Sequence, residues 1–505
     1  MSTQTAIQAP ARRGSARRPR ANAEARALAW APHQLLLGGA WREASSGQRL
    51  GVVDPSTGRT LVTVADAACG DFAAALDAAC SAQRAWAASA PRQRARILRR
   101  AADALGERAS ELALVLTAEA GKPLAESEAE VEFAAEYLEW YAEEAVRVGG
   151  REGLLPDGDA RVVVRRDPIG PCLILTPWNF PLAVPARGIA PALAAGCTVV
   201  LRPSALTPLS ALALARILAE AGVPAGVLNV LASSEDGASD ALISDPRLRK
   251  LTFTGSEAVG RHLARLTADG ALRTSMELGG CAPFIVFADA DLDAAVEGAV
   301  QAKMRNGGAA CTAANRFYVE RSVAQEFTRR LAARLAGFRM GRGTRAGVSL
   351  GPMIAERQRA RLSELVTDAV GRGARVALRG GALPGHGHFF APVVLADVPD
   401  DARVMREEIF GPVAPVRAFD REDEVVALAN DVPQGLAAYL YTHDLERAMR
   451  LAGELEAGMV ALNRGRLSNA AAPFGGIKGS GHGRSGGLEG IGEYLETRYL
   501  LIPEA

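Results

Sequence analysis

The sequence predicts an α/β protein of more than one domain built on parallel sheets, and three observations carry that prediction. Between residues 171 and 256, short apolar runs alternate with turn residues and amphipathic stretches in a strand–turn–helix rhythm. A second alternation spans roughly 282–470. At 505 residues the chain exceeds what one hydrophobic core usually supports, so two or three domains are expected. Repeated βα units put helices on both faces of a parallel sheet and leave ligand sites at the carboxyl ends of its strands.

The elements follow in order. Leu35–Trp41 reads as a short hairpin. Residues 71–147 carry apolar positions at helical spacing, broken near Pro91 and at Gly121-Lys-Pro123, which predicts several amphipathic helices. Residues 160–166 form a strand and Pro168–Gly170 a turn. The rhythm then gives strand 171–176, helix 183–195, strand 198–202, helix 208–221, strand 228–232, a helix near 236–244 and strand 251–254. Strands are expected at 283–287 and 460–463, and again at 494–502, where an open edge favours assembly with another element or subunit.

Composition narrows the function. Hydrophobic residues make up 49% and the net charge is +1, which excludes a general nucleic-acid or membrane-surface binder. No apolar run reaches membrane-spanning length. Six scattered cysteines without a CxxC pair fit a reducing compartment, and a cytoplasmic location is expected. Gly385-His-Gly-His388 is the one metal-like segment; two histidines without a third ligand read as a solvated loop, so no metal is expected. Arg12, Arg13, Arg17, Arg18, Arg20 and Arg26 give the first thirty residues a basic bias shared by transit peptides and basic arms. Since Arg is preferred throughout the chain, 1–30 reads as a disordered tail.

The chemistry concentrates between Met276 and Arg316. Glu277 precedes Gly279-Gly280, and Cys311 follows Gly307-Gly308 and several small residues. Small neighbours let backbone amides approach a sulfur, where they stabilise a thiolate or an oxyanion, and a carboxylate in the same site can activate water. Thr254-Gly-Ser-Glu-Ala-Val-Gly260 offers either a phosphate turn at a helix N-terminus or a plain helix cap.

Six motifs occur in order: Thr176-Pro-Trp-Asn-Phe-Pro181, Phe253-Thr-Gly-Ser256, Glu277-Leu-Gly-Gly280, Cys311, Glu407-Glu-Ile-Phe-Gly-Pro-Val413 and Pro473-Phe-Gly-Gly-Ile-Lys478. Together they resemble the NAD(P)-dependent aldehyde dehydrogenase superfamily from about residue 35 onward. The resemblance implies a Rossmann-like cofactor domain (31–147 and 169–275), an α/β catalytic domain (276–470) and a small β oligomerisation element (148–168 and 485–505), with a homodimer or homotetramer as the assembly. It implies Cys311 as nucleophile, Glu277 as general base and Asn179 as oxyanion donor. Thr176, Pro177, Trp178, Gly255, Ser256 and Leu278 fall at cofactor positions, Glu408 at the nicotinamide ribose and Phe410 at its ring. The adenosine-ribose segment departs from the usual Lys-Pro-x-Glu: it is Arg202-Pro-Ser204-Ala205. Loss of the acid and gain of a guanidinium suit a 2′-phosphate, so NADP is expected over NAD.

The sequence around Ala282–Gly298 and Arg305-Asn306 is most similar to the succinate-semialdehyde dehydrogenase branch, in which two arginines and a serine bind the distal carboxylate. Arg187, Arg305 and Ser468 stand in their register, so the resemblance implies a small anionic aldehyde as substrate, with succinate semialdehyde oxidised to succinate as the expected reaction. Glutarate semialdehyde and a sulfonated or phosphonated aldehyde are the alternatives, and a dinucleotide- or RNA-binding scaffold is the rival without turnover. Ala309-Ala310 and Ala313 replace the branch's Gln-Thr and second Cys. Cys281 reads as packing or as a second thiol. Arg464 and Arg466 either extend the positive wall of the pocket or face solvent.

Overall fold

The computed structural model describes residues 17–503, with side chains from residue 22. Residues 1–16 of the expected tail lie outside that range. Its remainder differs from the expectation, because Arg17–Trp30 is a helix. Ala27 and Ala31 are buried, and the Trp30 ring carries the guanidinium groups of Arg108 and Arg216 at 4.6 and 4.9 Å from its centroid. Glu24 pairs with Arg342. One aromatic anchor and one ion pair outweigh the arginine bias that reads as disorder.

Four helices follow: Cys69–Ala87, Pro91–Glu107, Ala109–Ala120 and Leu124–Glu144. Pro91 opens the second, where its missing amide costs nothing. Gly121 ends the third in the left-handed region at φ 79°, and a Cβ there would lie 2.8 Å from Pro55 and Pro352. The antiparallel pair Arg49–Asp54 and Arg59–Ala65 was not foreseen.

The first sheet has eight strands in the order Ala40–Arg42, Leu35–Leu37, Leu228–Val230, Val199–Arg202, Cys172–Leu175, Lys250–Thr254, Arg273–Glu277 and Gly481–His482. The five from Leu228–Val230 to Arg273–Glu277 are parallel. From Cys172–Leu175 the chain winds outward through two strands and then returns to the other flank with Lys250–Thr254. That reversal is a topological switch point, where open α/β sheets bind ligands. Both loops singled out in the sequence, Thr176–Pro181 and Gly255-Ser256, leave the carboxyl ends of these two strands.

The helix expected near 236–244 is only a 3₁₀ turn, Asp240–Leu242. Ser233 and Ser234 spend their hydroxyls on Ala67 O and on Asp66, and Gly237 takes φ 84°, so the backbone cannot enter a regular helix there.

The second sheet runs Arg375–Leu378, Val393–Ala396, Val413–Phe419, Ala314–Glu320, Ala282–Val286, Ala437–Tyr441 and Met459–Leu462, parallel apart from its first strand. Phe284 at its centre packs on Phe317, Tyr439 and Tyr441. A third, antiparallel sheet joins Leu495–Pro503, Ala160–Pro168 and Arg151–Leu154. Its outer strand leaves Tyr499, Leu500, Leu501 and Ile502 exposed. Gly481–His482, which falls between the segments assigned from sequence, belongs to the first sheet.

Candidate active site

Glu277 closes the strand Arg273–Glu277 and stands opposite Gly481. Its side chain is 6% exposed and accepts hydrogen bonds from the Arg187 guanidinium through Oε2 and from the Ser485 hydroxyl through Oε1. The glycines after it are close-approach residues. A Cβ on Gly279 would lie 2.5 Å from the Glu408 carboxylate, and one on Gly280 would lie 2.8 Å from the Cys311 carbonyl. Glu408 thereby reaches the Gly280 amide at 3.2 Å. Burial pushes the Glu408 carboxyl up to about 7.

Cys311 arrives by a left-handed turn, Asn306 to Gly308, with φ of 51°, 60° and 82°. A Cβ on Gly308 would meet Gly411 O at 2.3 Å, so glycine is required there. Burial pushes the Cys311 thiol up to about 11; Arg187 and Arg305 act to lower it, and Glu277 and Glu408 to raise it.

Asn179 is fixed by groups that the sequence reading did not assign. Lys122 Nζ and Asn306 Nδ2 each donate to Asn179 O at 2.8 Å, and Asn179 Nδ2 donates to Ala309 O at 3.1 Å, on the segment leading to Cys311. Lys122 is ion-paired with Glu130, both side chains 1% exposed. Glu130 also accepts from the Leu182 and Ala183 amides at 3.0 and 3.2 Å, where a carboxylate favours the N-terminus of helix Ala183–Ala195. These bonds satisfy a pair whose desolvation would otherwise be costly. Lys122 was legible only as part of a helix-breaking Gly-Lys-Pro, and Ser485 as one residue of a glycine-rich connection.

One cavity of about 230 Å³ gathers Cys311, Glu277 and Asn179 with Arg187, Arg305 and Ser468. Of the residues expected at the cofactor, Pro177, Trp178, Gly255, Ser256, Leu278, Glu408 and Phe410 also line it. Thr176 instead lines a smaller adjoining cavity that it shares with Glu277, and its buried hydroxyl has no hydrogen-bond partner. Arg202, Ser204 and Ala205 line neither cavity; Arg202 ends the neighbouring strand Val199–Arg202, and the other two follow it. Arg202 donates to Glu235 O at 2.7 Å, and Asp66, Glu235, Asp236 and Asp240 surround it.

The residues present fit a dinucleotide. Ser256 stands at the N-terminus of helix Glu257–Ala268 and spends no side-chain bond on capping it, which leaves a polar end for an anion. Trp178 and Phe410 meet edge to face, with centroids 5.3 Å apart, and make an apolar wall beside the half-buried Glu408. Among the described residues no group of three or more His, Cys, Asp or Glu is placed to hold a metal.

In the same cavity, Arg305 donates to Ser468 Oγ at 3.2 Å and lies over the Phe180 ring at 4.6 Å. Arg187 lies over Phe474 at 4.4 Å; its burial favours the neutral form, but Glu277, Tyr137 and Cys311 together outweigh this and favour the charged guanidinium. Arg464 is exposed. Arg466 lies 6.0 Å over Phe133 and lines a second cavity of about 470 Å³ that shares Arg305 with the first. Cys281 is 2% exposed and accepts from Asn315 Nδ2 at 3.1 Å, so it packs in the interior. Beside it, Lys303 is fully buried without a hydrogen-bond partner, and burial pulls its ammonium down to about 7.

The chain belongs to the aldehyde dehydrogenase family, whose pattern it matches over residues 41–500. It is an NAD(P)-dependent aldehyde dehydrogenase with close succinate-semialdehyde dehydrogenase relatives. It is 55% identical to the succinate-semialdehyde dehydrogenase of Paenarthrobacter nicotinovorans over 88% of this chain and 99% of that protein. It is 46% identical to the glutarate-semialdehyde dehydrogenase of Pseudomonas aeruginosa over 93% and 97%. The crystal structure of an Escherichia coli enzyme described as NADP-dependent superposes with a TM-score of 0.92 at 46% identity, covering 94% of this chain and 98% of that one.

Proposed function

We propose that the protein oxidises succinate semialdehyde to succinate with NADP+ as the preferred acceptor and NAD+ as a possible second one. The observation that carries this reading is the meeting of a thiol, a carboxylate, a side-chain amide and two guanidinium groups in one cavity. Cys311 adds as thiolate to the aldehyde carbon. The Asn179 amide and the Cys311 backbone N–H stabilise the resulting oxyanion, a donor of this kind being worth about 3–4 kcal/mol. A dinucleotide held by Trp178, Ser256, Glu408 and Phe410 would supply the acceptor for the hydride that leaves this carbon. Glu277 then takes a proton from water, which hydrolyses the thioester on Cys311.

Arg305 and Ser468 suit a carboxylate tail, and Arg187 adds a second cation beside the reacting carbon. Arg466 in the adjoining cavity supports a longer or more highly charged tail, such as that of glutarate semialdehyde or a sulfonated aldehyde, as the second reading. For the cofactor, Ala205 leaves no carboxylate at the position that would repel a 2′-phosphate, and Arg202 supplies a cation. The exposed edge Tyr499–Ile502 suits pairing between copies, as a homodimer or homotetramer, and the free cysteines suit the cytoplasm. The test is kcat/KM for four-carbon, five-carbon and sulfonated aldehydes with each dinucleotide. Highest values are expected with succinate semialdehyde and NADP+. A preference for uncharged aldehydes would refute the substrate, and a strong preference for NAD+ would refute the cofactor.

A further inference from the structure

The sequence places Arg187 on the substrate's tail, yet the structure gives it to the base. Its guanidinium is 8% exposed and bonded to Glu277 Oε2, while Ser485 takes Oε1. A carboxylate whose two oxygens are both taken by donors is aimed at those partners instead of at the thioester. Yet Arg187, Glu277, Cys311, Arg305 and Ser468 all line the same cavity. A tail carboxylate held by Arg305 and Ser468 would be a second anion in the cavity that Arg187 and Glu277 line.

We infer that the anionic tail of the substrate frees the base: it competes with Glu277 for Arg187, so that hydrolysis of the thioester is fast only for substrates whose tail breaks that ion pair. This rests on Cys311 being the nucleophile and Glu277 the base. The tail binds the opened arrangement more tightly than the closed one, and that difference drives the change. In the step concerned the water oxygen bonds to the acyl carbon, the carbon–sulfur bond breaks, sulfur leaves as the Cys311 thiolate, and the water's proton goes to Glu277. Nothing is oxidised or reduced. A neutral aldehyde of equal length still acylates Cys311 but leaves Glu277 paired. Selectivity for anions thus sits in the second half of the reaction, beyond what an anchoring arginine supplies.

The experiment compares succinate semialdehyde with butanal in single turnovers with NADP+. It follows hydride transfer by absorbance and the Cys311 thioester by mass spectrometry of the intact protein. Butanal is expected to give a burst and an accumulating thioester that hydrolyses about tenfold or more slowly, within the range general-base catalysis supplies. Acetate added to acetaldehyde turnover, as a detached tail, is expected to speed hydrolysis without speeding the burst. Arg187→Met should remove the response to acetate and bring the two four-carbon substrates to one hydrolysis rate. Equal hydrolysis rates in the wild type with no response to acetate would overturn the inference and leave the proposed activity standing, and these arms need no variant. No hydride transfer with any of the aldehydes would overturn both.

Discussion

Burial favours the protonated form of the Cys311 thiol. Burial raises it to about 11, against about 8.5 for an unperturbed thiol, so at pH 7.5 roughly three sulfurs in ten thousand are thiolate where an unperturbed cysteine would have about one in ten. Alkylation of Cys311 by iodoacetamide in the dinucleotide-free protein is therefore expected to run about two orders of magnitude slower than for a free thiol at that pH. Its rate should climb about tenfold per pH unit from 7 to 10 and level only near 11. Arg187 is the largest of the influences that lower this value, so Arg187→Met should slow alkylation further at every pH below the plateau. The assay is the pseudo-first-order loss of unmodified Cys311 by peptide mass spectrometry, with Cys311→Ala as control. A plateau below pH 8 in the wild type would refute the argument that burial outweighs the two guanidinium groups.

Three further outcomes follow from the geometry. Glu277→Gln should keep one hydride burst per site while slowing thioester hydrolysis by about 10²–10⁴-fold, read by trapping the acyl-enzyme; loss of the burst instead would remove the base assignment. Asn179→Ala should lower kcat/KM by about 10²–10³-fold with unchanged thermal stability, and a drop below tenfold would show that the amide does not meet the oxyanion. Lys303 is depressed from 10.5 to about 7, so the unfolded chain holds a proton that the folded chain has lost between those values; its cost to stability is full below pH 7 and fades as pH rises, by about 5 kcal/mol over the window. Lys303→Met should raise Tm at pH 6–7 and flatten its rise toward pH 10, and parallel melting curves would refute the burial argument.

The parallel sheets and most element boundaries were legible because their signals are local. Apolar runs such as Cys172–Leu175 end in Pro or Gly, and helix Ala183–Ala195 is framed by Pro181 and Gly196. The 3₁₀ turn at Asp240–Leu242 was not, because it is decided by hydroxyl bonds to Asp66 and Ala67, some 166 residues earlier in the chain. The thiol, acid and amide stood out through their glycine- and proline-rich surroundings. Lys122, Glu130 and Ser485 did not, since nothing nearby in sequence marks a lysine as the support of Asn179 or a serine as the partner of Glu277. Arg187 shows the limit most sharply. Its place in the cavity was expected from the family resemblance, but its partner was not, because a buried guanidinium goes to whichever carboxylate the fold delivers.

The position of Glu277 is set from the far end of the chain. Gly481 pairs with it, the Leu278 amide donates to Ser480 O, the Ser480 hydroxyl donates to Gly279 O, and Ser485 holds its carboxylate. Those contacts come from a segment the ribosome makes some two hundred residues after the acid itself. A nascent chain without this segment lacks the contacts that hold the Glu277 carboxylate. On the proposed mechanism, turnover therefore requires that the last stretch has docked, and a product ending before residue 480 would keep the Cys311 thiol without the contacts that align Glu277.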